Sequence, residues 1–227
     1  MAADVELIEA VRAALRGMAQ PELAGPMQAY MKSATPYLGV RVPVMRALTR
    51  TEAKLRPFAS TADLTDTVLG LWRAAGYREE RYAAIALLDT PAARRLRDPV
   101  LVETLRELIL TGAWWDYVDE LAHRVGDLLL GWPAEVRPAL LTWAQSDDRW
   151  LRRASIICQL GARDRVDLKL LTVAIESSIG ESDFFLRKAI GWALRDYART
   201  DPAWVQSFAD THELSPLSRR EALRHLS

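Results

Sequence analysis

Apolar residues along this chain recur at helical spacing and hardly ever at the two-residue spacing of a strand. In residues 5–18, Leu7, Ile8, Val11, Leu15 and Met18 line one side of a helix. Residues 20–26 read as a break, 27–32 as a short helix, 35–40 as a loop and 43–55 as helix again. Ser60 or Thr61 caps a helix running to Ala75, where Gly76 ends it. Further on, helix starts recur as a polar residue followed by proline, which caps the first turn and presets its backbone angle. Thr90-Pro91, Asp98-Pro99 and Asp201-Pro202 fit this pattern, and Trp132-Pro133 has the proline without the cap. Ser218-Arg219-Arg220-Glu221 reads as a capping box opening the last helix. The sum is about a dozen helices or more with short connections. No Asn-Gly or Asp-Gly hairpin, linker or low-complexity run divides them, so the expectation is one all-α domain over residues 1–227.

The helical pattern repeats. Ile85, Leu121, Ile156 and Ile190 align with steps of 36, 35 and 34 residues. Six residues before the last three sit Trp115, Trp150 and Phe184, with Glu79 in the first unit. The surrounding segments Tyr82-Ala83-Ala84-Ile85, Arg153-Ala154-Ser155-Ile156 and Arg187-Lys188-Ala189-Ile190 are alike. A two-helix unit of this length cannot bury its apolar face alone and must stack on its neighbours. The degenerate spacing suits a HEAT-like helical-repeat solenoid, with one helix of each pair lining a concave face.

Against this register some residues stand out. Asp119 falls where the other units have Ala83, Ala154 and Lys188, and Trp192 falls where they have Leu87, His123 and Cys158. Trp115 and Asp119 are four apart and share a helix face, an indole beside a carboxylate. The aligned helices also carry Arg149, Arg152 and Arg153, then Arg187, Lys188, Arg195 and Arg199. Cations along a wall suit a phosphate backbone, and a carboxylate between aromatic faces suits a cationic ligand or transition state. Plainer roles are open to each. Asp119 can be a salt-bridged surface residue, the tryptophans can pack between repeats, and the arginines can pair with Asp147, Asp148, Asp183 and Asp196.

Composition narrows the choice. Thirty basic and thirty acidic residues cancel, so any anion-binding face must come from sorting charges in space. Eight tryptophans exceed what a core of this size asks for. No apolar run approaches the roughly 18 residues of a membrane span. The acidic N-terminus lacks the form of a signal peptide, and the lone Cys158 fits a reducing compartment, so a cytoplasmic location is expected. His123, His212 and His225 lack metal-ligand spacing, and neither a glycine-rich phosphate loop nor a serine nucleophile elbow occurs, so no metal or cofactor is expected.

At these residues the chain resembles the AlkD-like DNA alkylation repair enzymes, a family of HEAT-repeat DNA glycosylases. The resemblance runs over most of the chain. It includes Tyr30-Met31-Lys32 with Leu38-Gly39-Val40 and Pro43, Tyr82 to Ile85, Trp114-Trp115-Asp116 with Val118-Asp119, and Trp150 to Ala154. It continues through Lys188-Ala189-Ile190-Gly191-Trp192 with Leu194-Arg195, and through the tail Leu214 to Ala222. The resemblance implies hydrolysis of the N-glycosidic bond of cationic alkylpurines, chiefly 3-methyladenine and 7-methylguanine. It implies Asp119 as the catalytic carboxylate, Trp115 and Trp192 as an aromatic cleft around the lesion's sugar, and Arg153 as a nearby phosphate contact. Lys188, Arg195 and Arg199 correspond to further backbone contacts, and Tyr30 and Arg41 lie in N-terminal helices that approach the duplex.

Residue chemistry is compatible with that activity. Glycosidic cleavage builds an oxocarbenium-like sugar and ordinarily needs an acid for the leaving group. A purine alkylated at N3 or N7 is already cationic, so a single aspartate suffices. The expected partner is therefore double-stranded DNA with alkylated bases, bound by a monomer without membrane attachment. The alternative from another class is a non-catalytic HEAT-like module that binds nucleic acid or protein.

Overall fold

The computed structural model describes residues 3–226. It is an all-α helical-repeat protein whose contacts divide it into two compact units between Thr104 and Leu105. The first unit contains α1 (Val5–Gly17), α2 (Pro21–Met31), α3 (Val42–Leu55), α4 (Thr61–Arg73), α5 (Arg78–Leu87) and α6 (Pro91–Arg95). The division falls inside α7 (Leu101–Gly112). The second unit contains α8 (Trp115–Gly131), α9 (Pro133–Ala144), α10 (Arg149–Ile157), α11 (Leu168–Glu176), α12 (Phe184–Tyr197), α13 (Pro202–Thr211) and α14 (Pro216–Ala222). Among the described residues no helix is long and apolar enough to cross a membrane.

Most starts follow the caps in the sequence. The side chains of Ser60, Thr90 and Asp201 accept from the backbone N–H groups of Asp63, Ala93 and Trp204. Two expectations need correction. The prolines of residues 20–26 do not break the chain, because α2 begins at Pro21 and carries Pro26 inside it. Pro21 sits where a missing N–H costs nothing, and Pro26 forfeits one bond in a largely exposed helix. The last helix opens at Pro216, not at a Ser218 capping box. Ser215 is its cap and accepts from Ser218 N at 3.1 Å, which leaves Glu221 in the helix body.

In the first unit α1, α3 and α5 pack on one another, and α4 covers α1 and α5. Leu7, Val11, Leu15, Leu64, Val68 and Leu71 are wholly buried there. The loop before α3 is held by an unusual device. Glu79, with no exposure, accepts from the backbone N–H groups of Leu38, Gly39 and Val40 at 3.0, 2.9 and 3.1 Å. Its charge is thus met by three aligned peptide dipoles. Gly39 is required twice over: its φ is 84°, and a Cβ there would strike the Gln20 carbonyl.

In the second unit, α8, α10, α12 and α14 pack in succession as one layer, while α9 and α11 pack together against it. The residues that define the repeat are the buried ridge of their helices: Ile85 in the first unit, and Leu121, Ile156 and Ile190 in this layer, are at most 3 % exposed. Close approach within the layer needs glycine. A Cβ at Gly126 would fall on the Cys158 carbonyl, and one at Gly191 would lie 2.5 Å from Glu221 Cβ.

Candidate active site

At the repeat position of Asp119, Ala83 and Ala154 have no exposure while Lys188 is half-buried, so in two of the other three units helices press on their neighbours here. A carboxylate placed there must be met by charge and hydrogen bonds. Arg153 on α10 meets it. Its Nε donates to Asp119 Oδ1 at 2.7 Å and its Nη2 donates to Asp119 Oδ2 at 2.8 Å. Its Nη1 donates to the Phe185 carbonyl at 2.6 Å. One guanidinium therefore ties α8 to α10 and α10 to α12. The planar fork matches both carboxylate oxygens at once, which a lysine could not do. The Arg153 side chain is 6 % exposed and that of Asp119 is 18 %, so the carboxylate is the more open member.

Trp115 opens α8 one turn before Asp119 and is half-buried. Trp192 is half-buried on α12, beyond the helix that carries Arg153. The aromatic at the repeat position of Trp115 has a different fate in each unit. Trp150 is a 3 % exposed core residue, and Phe184 is 54 % exposed. Trp114, just ahead of α8, joins Trp150 and Phe185 in a cluster with ring centroids 5.0–6.2 Å apart. Arg149 covers Trp150 at 4.9 Å and pairs with Asp183 at 3.0 Å.

The other expected contacts divide by partner. Lys188 and Arg195 both reach Glu221 on α14, at 3.0 and 2.6 Å. Arg199 lies 3.9 Å from Asp196 with its side chain 74 % exposed. In the first unit Tyr30 is 78 % exposed, and Arg41 is exposed at the start of α3. Of the expected aspartate partners, Asp183 takes Arg149 and Asp196 lies near Arg199, whereas Asp148 caps α10. Arg152 instead pairs with Glu181 at 2.8 Å and donates to Ser178 Oγ.

For two residues the sequence does not show the surroundings that the structure gives them. Glu221 was hidden by its apparent place in a capping box. Arg187 holds the repeat position of Arg153, but its would-be partner is Ala154. Among the described residues Arg187 makes no ion pair, and its buried Nε has no hydrogen-bond acceptor. The repeat register alone carried that signal. Among the described residues no group of three His, Cys, Asp or Glu is placed to hold a metal ion.

Fold and site together define a helical-repeat protein with an aspartate fixed by arginine in its layer and cations on the neighbouring helix. The chain belongs to the DNA alkylation repair enzyme family, whose model matches residues 11–226. A solved structure described as a predicted DNA alkylation repair enzyme from Enterococcus faecalis is similar over 92 % of this chain and 97 % of its own, at 29 % identity and a TM-score of 0.81. No curated protein matches the chain. Family membership supports a role in the repair of alkylated DNA.

Proposed function

We propose that this protein is a monofunctional DNA glycosylase that hydrolyses the N-glycosidic bond of cationic alkylated purines, 3-methyladenine and 7-methylguanine, in duplex DNA, as the first step of base excision repair. The observation that carries this reading is the Asp119 carboxylate. It is fixed on both oxygens by Arg153, at a repeat position that holds alanine in two of the other units and Lys188 in the third, on the same helix face as the half-buried Trp115.

The chemistry follows from the substrate's charge. The bond from C1′ to the purine nitrogen breaks with its electron pair going to the base, which leaves neutral and needs no protonation. The sugar becomes an oxocarbenium ion. Asp119 stabilises that cation and orients a water whose oxygen bonds to C1′, and the water's proton passes through the carboxylate to solvent. Trp115 and Trp192 present indole faces to the sugar, worth about 0.5 to 2 kcal/mol each. With three of its donors committed to Asp119 and the Phe185 carbonyl, Arg153 acts first by fixing the carboxylate and only secondarily as a phosphate contact. Lys188, Arg195 and Arg199 take backbone phosphates, with Tyr30 and Arg41 contributing from the first unit.

The non-catalytic reading draws on the same ion pair, since Arg153 would tie three helices together in a pure binding module too. Incubation of the native protein with methylated duplex DNA separates the two. Release of free 7-methylguanine or 3-methyladenine, with matching abasic sites, supports the glycosylase. Binding without release of either base leaves the module.

A further inference from the structure

Lys188 and Arg195 lie two turns apart on α12 and converge on one carboxylate. Lys188 Nζ donates to Glu221 Oε1 at 3.0 Å, and Arg195 Nη1 donates to Glu221 Oε2 at 2.6 Å. Each oxygen takes one cation, as two oxygens of a phosphate would. The Glu221 side chain is 14 % exposed, beneath a Lys188 at 38 % and an Arg195 at 22 %. Its place is set by backbone packing. Gly191 lets α14 approach until a Cβ there would be 2.5 Å from Glu221 Cβ and 3.0 Å from the Ser218 carbonyl. Ser218 Oγ also donates to the Arg187 carbonyl at 3.0 Å, which pins α14 to α12 one turn away. This is a built contact, not a wandering surface pair.

We propose that Glu221 is an internal stand-in for a backbone phosphate, which holds Lys188 and Arg195 at a combined charge of about +1 and so keeps affinity for undamaged duplex low. The inference rests on the reading of these two cations as DNA contacts. Lysine keeps two further ammonium protons and arginine four further N–H groups, so both can still reach a phosphate while bound to Glu221. What the carboxylate subtracts is long-range attraction and one phosphate's worth of counterion release. A repair enzyme must leave undamaged DNA to find lesions, and a fixed counter-anion in its phosphate-binding face serves that release.

The test is binding of a fluorescent undamaged duplex over a salt series, using native protein, K188Q, R195Q, E221Q and the double variant E221Q/K188Q. E221Q is expected to bind about fivefold tighter near 100 mM salt, with a salt dependence steeper by about one unit. The same substitution in the K188Q background raises affinity again, and there it removes a carboxylate facing one cation instead of two. That second background keeps the test readable if E221Q alone does not fold. Equal or weaker binding by a folded E221Q, and no gain in the K188Q background, would overturn the proposal. If K188Q and R195Q bind as well as native protein, it is the placement of DNA on α12 that fails, and the proposal fails with it.

Discussion

Asp119 and Arg153 are one repeat apart in sequence and meet across two helices, with both carboxylate oxygens matched to one guanidinium. The pair offsets the cost of placing a carboxylate at a position that buried alanine fills in α5 and α10. Under the proposed function it links scaffold to chemistry: the interaction that lets the helices pack would also fix the orientation of the reacting carboxylate. Arg153→Gln is expected to lower stability by about 3 kcal/mol, because it strands a partly buried carboxylate. Arg153→Lys keeps the charge but loses the fork, and should recover part of the stability while excision stays slow. Urea unfolding and single-turnover excision of the two variants would check this, and a lysine variant with native excision would contradict it.

Glu79 gives a second prediction, within the first unit. Its carboxylate satisfies three buried backbone N–H groups of the loop leading to α3. Glu79→Gln replaces an acceptor with a donor facing a donor, and an unmet buried group costs about 1–3 kcal/mol. The variant should unfold at correspondingly lower urea, and amide exchange at Leu38, Gly39 and Val40 should quicken. Unchanged exchange at those three residues would show that the carboxylate does not hold the loop.

Glu221 makes stability depend on acid. The Lys188 hydrogen bond, reinforced by the charges of Lys188 and Arg195 and opposed by burial, holds its carboxyl below the ordinary value of 4.5. A carboxyl lowered by folding stabilises fully above its unfolded pKa and loses that contribution as the pH falls through the folded one. Between about pH 5 and pH 2 the native protein should therefore lose more stability than Glu221→Gln, which has no proton to take up there. Parallel losses in the two proteins would contradict the assignment.

Lesion charge should govern selectivity. The proposed mechanism assigns one carboxylate, Asp119, and no leaving-group acid, so it depends on a purine that already carries its positive charge. The protein should release 3-methyladenine and 7-methylguanine and leave neutral alkylated bases in place. Product chromatography from a duplex carrying both kinds would check this, and equal release would sink the mechanism.

Much of this was legible in the sequence, for physical reasons that differ by element. The layer helices were visible because Leu121, Ile156 and Ile190 recur as buried ridge positions at a nearly constant step. Ser60, Thr90 and Asp201 were visible because capping is local, needing only a side chain and the next turn. The extent of α2 was obscured because proline reads as a breaker, although at Pro21 it begins a helix. The candidate site was legible as residues and not as contacts. Asp119 stood out against Ala83 and Ala154, but its partner lies on another helix, and that pairing depends on how α8 and α10 are rotated. The same holds for Glu221, whose two cations are 33 and 26 residues away. Glu79 binds backbone N–H groups, which carry no sequence signature at all.

The central claim is that Asp119 performs chemistry and does not merely brace the layer. The most direct measurement is single-turnover release of 7-methylguanine from methylated duplex by native protein and Asp119→Asn, with duplex affinity measured alongside. The account predicts release slower by about 100- to 1000-fold, the loss expected when one electrostatic stabiliser is removed, with duplex binding retained. Release at the native rate by a folded Asp119→Asn would contradict it and return Asp119 and Arg153 to the scaffold.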